Sequence, residues 1–186
     1  MVKAEAMPTR LRPAVFLDRD GVIVIPEFRD GRSFAPTTLD DFRLYDSAAT
    51  ELARLKIAGF LLVVVTNQPD VGRGIIPMAV LDEMHRRLAA ALPLDLIESC
   101  PHDGKDGCLC RKPKPGMLLA AAARLPIDLS ASFMVGDRAT DIQAGCAAGC
   151  RTVFLDHQYD EPKPARCTFM VRSLKEAVDA VLKSAD

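Results

Sequence analysis

Short apolar runs with no internal alternation recur along the chain, each separated from the next by a stretch of helical periodicity. Ala14–Leu17, Leu61–Val65, Leu94–Ile97, Phe133–Val135 and Thr152–Leu155 are such runs, the second rich in β-branched residues. A strand that is apolar at every position must be covered on both faces, the condition of a parallel sheet. Between the runs, Ser47–Ala58, Pro77–Leu92, Met117–Leu125, Ala139–Ala148 and Ser173–Lys183 read as helices. Ala48, Leu52 and Leu55 share one helical face, as do Val80, Met84, Leu88 and Leu92. Gly59 and Gly149 stand just past two of these patterns, as helix stops do. Ser173 and Glu176 have capping-box spacing. The alternation predicts right-handed βαβ units and an α/β fold with a doubly wound, mainly parallel sheet. At 186 residues and 49% hydrophobic content, residues 1–186 are expected to form a single domain able to bury a core. Residues 1–12 read as a flexible N-terminus. The irregular stretches Ile25–Leu44 and Asp156–Thr168 lack linker character, and no inserted large cap domain is visible.

The 24 Lys+Arg and 25 Asp+Glu residues leave a net charge of -1. That balance, with no basic tract, argues against a charge-driven nucleic-acid binder. No segment approaches the ~18 apolar residues of a membrane span. Ala14–Leu17 is too short for the apolar core of a signal peptide, which needs about 7–15 residues. A cytoplasmic protein with no membrane partner is expected. In that reducing compartment the six cysteines are not expected to form disulfides. No long exposed apolar stripe is apparent, which favours a monomer.

In open α/β sheets chemistry collects beyond the carboxyl ends of the strands. Asp18, Thr66 and Asp137 stand at or just past three of the apolar runs. In Asp18-Arg19-Asp20-Gly21 the two carboxylates, two apart in an extended segment, can face one site. Their repulsion is relieved by a divalent cation, and an ionised aspartate can act as a nucleophile with a second carboxylate as acid/base. A solvated loop of turn-forming aspartates is the plainer alternative.

Cys100 and His102 are followed by Cys108 and Cys110, four ligand-type residues within eleven positions. That set fits a closed tetrahedral Zn²⁺ site over residues 100–110. Four protein ligands leave no place for water, so the zinc is expected to be structural. Its task would be to stiffen the loop that leads into Arg111 and Lys112, lowering the entropic cost of gripping a phosphate. Three reduced cysteines in a surface loop are the plainer alternative.

Four motifs in order, Asp18-Arg19-Asp20, Val65-Thr66-Asn67-Gln68, Arg111-Lys112-Pro113 and Gly136-Asp137-Arg138-Ala139-Thr140-Asp141, resemble those of the haloacid dehalogenase (HAD) superfamily of phosphohydrolases. The zinc loop and Pro115-Gly116-Met117 narrow the resemblance to the zinc-containing small-cap branch, which includes heptose-bisphosphatases and histidinol-phosphatases. Gly72-Arg73-Gly74 resembles the heptose branch, whereas the five-residue spacer inside the zinc loop is similar to the histidinol-phosphate branch. Pro69-Asp70 and Val24 depart from the heptose pattern.

The resemblance implies a HAD-like Rossmannoid fold and a Mg²⁺-dependent phosphatase. Asp18 would be the nucleophile and Asp20 the acid/base. Mg²⁺ would be held by Asp18, the backbone carbonyl of Asp20, and Asp137. Thr66, Asn67 and Lys112 would hold the transferring phosphoryl group, with Gln68 beside them. Pro26, Glu27, Phe28 and Arg29 would line the substrate entrance, and Arg111 and Arg138 would contact the distal part of a small phosphorylated sugar. The implied reaction is hydrolysis of D-glycero-D-manno-heptose 1,7-bisphosphate at the 7-position. Histidinol phosphate is the alternative substrate, and a zinc-stabilised binding module without catalysis is the alternative of another class. Three readings stay open for Asp141: orienting Lys112, orienting a metal-bound water, or an exposed helix carboxylate. Cys146 and Cys150 read as small buried packing residues, and His85 as part of the wet face of its helix.

Overall fold

The protein is described here by a computed structural model covering residues 10–29 and 31–184. Its strands are β1 (Ala14–Leu17), β2 (Glu27–Arg29), β3 (Arg32–Phe34), β4 (Leu61–Asn67), β5 (Leu96–Cys100), β6 (Phe133–Gly136), β7 (Arg151–Leu155) and β8 (Phe169–Val171). The helices are α1 (Ala48–Ile57), α2 (Pro69–Gly72), α3 (Met78–Ala91), α4 (Gly116–Arg124), α5 (Ala139–Ala147) and α6 (Leu174–Lys183). Six strands pair in parallel in the order β5-β4-β1-β6-β7-β8, while β2 and β3 form a separate antiparallel hairpin.

The alternation of side chains along β1 explains why its whole run is apolar. Val15 and Leu17 enter one core layer with Leu62, Val64, Leu52, Leu88 and Val178, covered by α1, α3 and α6. Ala14 and Phe16 enter the other with Val63, Val65, Met117, Leu118 and Ala144, covered by α4 and α5. Each large apolar side chain so buried contributes about 1.5–3 kcal/mol. β1 lies between β4 and β6, where the sheet's order reverses direction. Asp18 directly follows it and therefore opens onto the crevice at the switch point.

The expected helices all form, to within a residue or two at most ends. At α6 the Ser173 hydroxyl accepts from the Glu176 amide at 3.2 Å, but the Glu176 carboxylate accepts from Arg172, one residue before the cap. β5 lies later than the run Leu94–Ile97, and β8 and the β2–β3 hairpin were not expected. The expectation for residues 1–12 falls mostly outside the described residues. Arg12 itself is tied down: its amide donates to the Pro126 carbonyl at 2.8 Å and its side chain to the Gly59 carbonyl at 2.7 Å. Cys150 is buried as expected, but Cys146 is exposed.

Candidate active site

The Asp18 amide donates to the Val135 carbonyl at 2.9 Å, pinning the end of β1 to β6. The chain then turns tightly, the Arg19 carbonyl accepting from the amides of Ile23 (3.0 Å) and Val24 (2.9 Å). Gly21 sits in this turn at φ 87°, and a Cβ there would fall 2.0 Å from Asp137 Oδ2. Both the positive φ and the close approach of Asp137 require glycine.

Lys112 is buried at the centre of the acidic group. Its Nζ donates to the Val65 carbonyl at 2.8 Å and lies 2.9 Å from Asp18 Oδ1 and 2.7 Å from Asp141 Oδ1. Burial alone would lower the ammonium, but Asp141 and Asp18 outweigh it and hold the pKa above its usual value. Asp141 is pushed up to about 6 by burial, against the pull of Lys112. Its other oxygen accepts from the Arg138 amide at 2.9 Å. Of the readings open for Asp141, the structure supports the one that orients Lys112; Asp141 is buried, not an exposed helix carboxylate.

Asp137 is the anomaly. Both its oxygens are buried with no hydrogen-bond partner among the described residues. Burial first, then the charges of Asp18 and Asp141, raise its pKa well above the carboxylate range. Oxygens of Asp18, Asp137 and Asp141 all lie within 4.8 Å of one another. A set of hard oxygen donors, one of them orphaned, suits a small divalent cation.

Asp20 lies across the mouth of the same site. Arg19 Nε donates to both its oxygens at 3.0 and 3.1 Å, and Gln68 Nε2 donates to Oδ2 at 2.7 Å. Gln68 Nε2 also reaches Thr66 Oγ1 at 2.8 Å, which leaves the Thr66 hydroxyl proton free to donate. Asn67 braces Lys112 from both sides: its Oδ1 accepts from the Lys112 amide and its Nδ2 donates to the Lys112 carbonyl, each at 3.1 Å.

Above these groups lies a cleft of about 500 Å³. It is lined by Asp18, Asp20, Lys112 and Asp141 together with Asn67, Arg73, Arg111, Arg138, Asp160 and Arg32–Ala35. Arg138 braces two parts of this lining. Its Nη2 donates to the Ser33 carbonyl at 2.5 Å and lies 3.4 Å from Glu161. The segment after β7 is locked against the β1 turn, His157 Nε2 donating to the Gly21 carbonyl at 2.7 Å. His157 stacks between Tyr45 and Tyr159, with centroids 6.5 and 5.3 Å away.

The cysteine and histidine residues also converge. Cys100 Sγ lies 3.1 Å from Cys110 Sγ and 3.6 Å from Cys108 Sγ, and His102 Nδ1 lies 3.3 Å from Cys110 Sγ. Zn–S bonds of about 2.3 Å and Zn–N bonds of about 2.0 Å give tetrahedral edges of roughly 3.5–3.8 Å, close to these spacings. Arg111 Nη1 donates to the His102 carbonyl at 3.1 Å, so the loop that carries the cluster holds the guanidinium of an arginine that lines the cleft.

The sequence-expected residues therefore fall into two sets. Asp18, Asp20, Asn67, Lys112, Arg111 and Arg138 line the cleft; Asp137 lies buried beside Asp18 and Asp141. Thr66 and Gln68 are buried, and Gln68 is a tether of Asp20, not a wall of the cleft. Pro26, Glu27, Phe28 and Arg29 do not line it. Pro26 is buried, Glu27 and Arg29 pair with each other on the outer strand of the hairpin, and the inner strand supplies Arg32, Ser33 and Phe34 instead. The Asp30-Gly31 pair, a strong hairpin signal between two aromatic-containing segments, could have revealed this. Arg73, present in the Gly72-Arg73-Gly74 motif, also lines the cleft, held by Asp70 and Asp103. His85 is not on the wet face of α3; it packs against Arg19.

A family model described as HAD-hydrolase-like matches residues 109–177. The chain is 40% identical over 149 residues to the D-glycero-beta-D-manno-heptose-1,7-bisphosphate 7-phosphatase of Pseudomonas aeruginosa, covering 77% of this chain and 81% of that one. It is 39% identical over 155 residues to the enzyme of the same name from Escherichia coli, covering 77% and 78%. Among solved structures it resembles D,D-heptose 1,7-bisphosphate phosphatase from B. bronchiseptica complexed with magnesium and phosphate. That match has TM-score 0.76 and 31% identity, covering 93% of this chain and 99% of that one.

Proposed function

This chain belongs to the HAD-like phosphatases, the family of those heptose-bisphosphate 7-phosphatases, and from that membership we propose that it removes the 7-phosphate of D-glycero-D-manno-heptose 1,7-bisphosphate. It is a phosphoric monoester hydrolase. The relatives favour this substrate over histidinol phosphate, and the reading as a binding module without catalysis is set aside. The observation that carries the proposal is the convergence of Asp18, Asp20 and Lys112 in one cleft whose lining also carries Arg32, Arg73, Arg111 and Arg138.

An Asp18 carboxylate oxygen attacks phosphorus and the phosphorus–sugar oxygen bond breaks. Asp20, held by Arg19 and Gln68, gives its proton to the departing sugar oxygen. Asp20 then takes a proton from water as that water attacks the aspartyl-phosphate, releasing inorganic phosphate and regenerating Asp18. Lys112, the Thr66 hydroxyl and Asn67 hold the phosphoryl oxygens during both steps. Asp18, Asp137 and the Asp20 backbone carbonyl would hold Mg²⁺, in keeping with the orphaned Asp137 oxygens. Bound there, Mg²⁺ would neutralise charge on the transferring group.

Among the arginines that line the cleft, Arg111 and Arg32 are the donors we assign to the 1-phosphate. Arg73 and Arg138 are committed to carboxylates, whereas Arg32 has no ion-pair partner among the described residues. Cys100, His102, Cys108 and Cys110 would hold a structural Zn²⁺ that fixes Arg111. Steady-state kinetics with Mg²⁺ on the heptose bisphosphate and on histidinol phosphate test the assignment. A higher kcat/KM on the heptose bisphosphate supports it, and a preference for histidinol phosphate overturns it.

A further inference from the structure

We propose that His85, on α3, is a positioning residue for the acid/base carboxylate, acting through the buried guanidinium of Arg19. The proposal rests on Asp20 being the general acid.

Arg19 is fully buried beneath the site. A buried guanidinium is costly unless its donors are matched. Nε spans both oxygens of Asp20, and the plane sits over Phe42 at 5.5 Å. Nη2 lies 3.0 Å from Asp20 Oδ2 as an ion pair but makes no hydrogen bond, so Nη1, which faces His85 Nε2 at 3.4 Å, is the terminal nitrogen that meets an acceptor among the described residues. Arginine offers only donors and keeps its proton, so this contact is attractive only when His85 is neutral and Nε2 carries the lone pair. Burial and the Arg19 charge push His85 down to about 4, consistent with that form.

The consequence is geometric. Nη1 on His85 and Nε on Asp20 fix the rotation of the guanidinium at two points. Remove the acceptor and Nη1 is buried without a partner. The guanidinium then turns towards another acceptor, and its hold on Asp20 loosens. Gln68 grips only Oδ2, so it cannot fix the carboxylate plane alone. Proton transfer to a leaving group demands that plane in the right place.

The test compares leaving groups in the Mg²⁺-loaded, zinc-replete protein. The measured quantity is kcat/KM, which reports only on steps up to departure of the leaving group. His85→Leu is expected to lower kcat/KM about tenfold or more on a sugar phosphate, whose alkoxide needs a proton. The same variant is expected to lose far less on p-nitrophenyl phosphate, whose phenolate leaves unassisted. His85→Gln, whose amide oxygen can accept from Arg19, is expected to restore most of the loss. If His85→Leu does not fold, His85→Asn, too short to reach Arg19, replaces it in the comparison with His85→Gln. Equal loss on both substrates, loss on neither, or no recovery with His85→Gln overturns the proposal. Asp20→Asn calibrates the pattern: if it shows no leaving-group dependence, the acid assignment fails first, and the fault lies there and not with His85.

Discussion

The Lys112 ammonium lies 2.9 Å from Asp18 Oδ1, yet the adjacent Asp137 carboxylate receives no hydrogen bond from it or from any other described residue. The protein thus supplies a cation to the reacting aspartate and leaves the neighbouring carboxylate bare.

A bare buried carboxylate strains the metal-free protein. Because the folded pKa of Asp137 is raised, its ionised form favours the unfolded chain above the ordinary carboxylate range. Asp137→Asn is therefore expected to raise the melting temperature of the metal-free protein at pH 7. Saturating Mg²⁺ should stabilise the wild type by about 2.7 kcal/mol at a hundred times its Kd and leave the variant unchanged. Thermal melts with and without Mg²⁺ check both expectations. A less stable apo variant would contradict the account of the orphaned oxygens.

The His85–Arg19 contact carries a pH signature. His85 falls from 6.5 to about 4 in the folded state, so between those values the unfolded chain holds a proton that the native one does not. Its contribution to stability is complete above about pH 6.5 and is lost as pH falls towards about 4. Asp141, raised to about 6, acts in the opposite direction, so the wild-type profile alone mixes the two. The difference between the wild type and His85→Gln isolates the histidine. That difference is expected to change steadily across this window and to be flat above it, as read by urea unfolding at a series of pH values.

Chelation of zinc separates the two metal sites. Removing zinc is expected to raise KM severalfold, because the 100–112 loop loses its staple and Arg111 its support, while Mg²⁺ affinity is unchanged. Cys108→Ser should do the same. Metal analysis with substrate kinetics and a Mg²⁺ titration checks this; loss of Mg²⁺ affinity on zinc removal alone would contradict a structural role.

Arg32→Ala addresses the distal phosphate. Losing one charge-assisted contact is expected to lower kcat/KM about tenfold or more on the heptose bisphosphate. It should leave the corresponding 7-monophosphate, which lacks the group Arg32 would grip, within about twofold. Equal losses on both substrates would remove Arg32 from the distal site.

These expectations differ in how far the sequence foretold them. The central strands were legible because burial on both faces leaves no polar position to blur the pattern, as in Ala14–Leu17 and Leu61–Val65. β5 and β8 lie at the sheet's edges, where Glu98 and Ser99 or the exposed Met170 are tolerated, so their bounds were misplaced or unseen. The reacting residues were legible because they sit at or just beyond strand ends in ordered motifs. Arg32 and His85 were not. Arg32 reaches the cleft only through the hairpin, and His85 meets Arg19 across 66 positions of sequence. Neither carries a local signal of that encounter. The same holds for Gln68, whose neighbours suggested substrate contact although its amide is spent on Asp20 and Thr66.

The most direct test of the account is the turnover of Asp18→Asn on the heptose bisphosphate with Mg²⁺, measured beside its zinc content and melting curve. Loss of at least about a thousandfold in kcat, with zinc and fold retained, is the predicted result, since the neutral amide removes the attacking oxygen. A correctly folded Asp18→Asn enzyme that hydrolyses the substrate at the wild-type rate would contradict it.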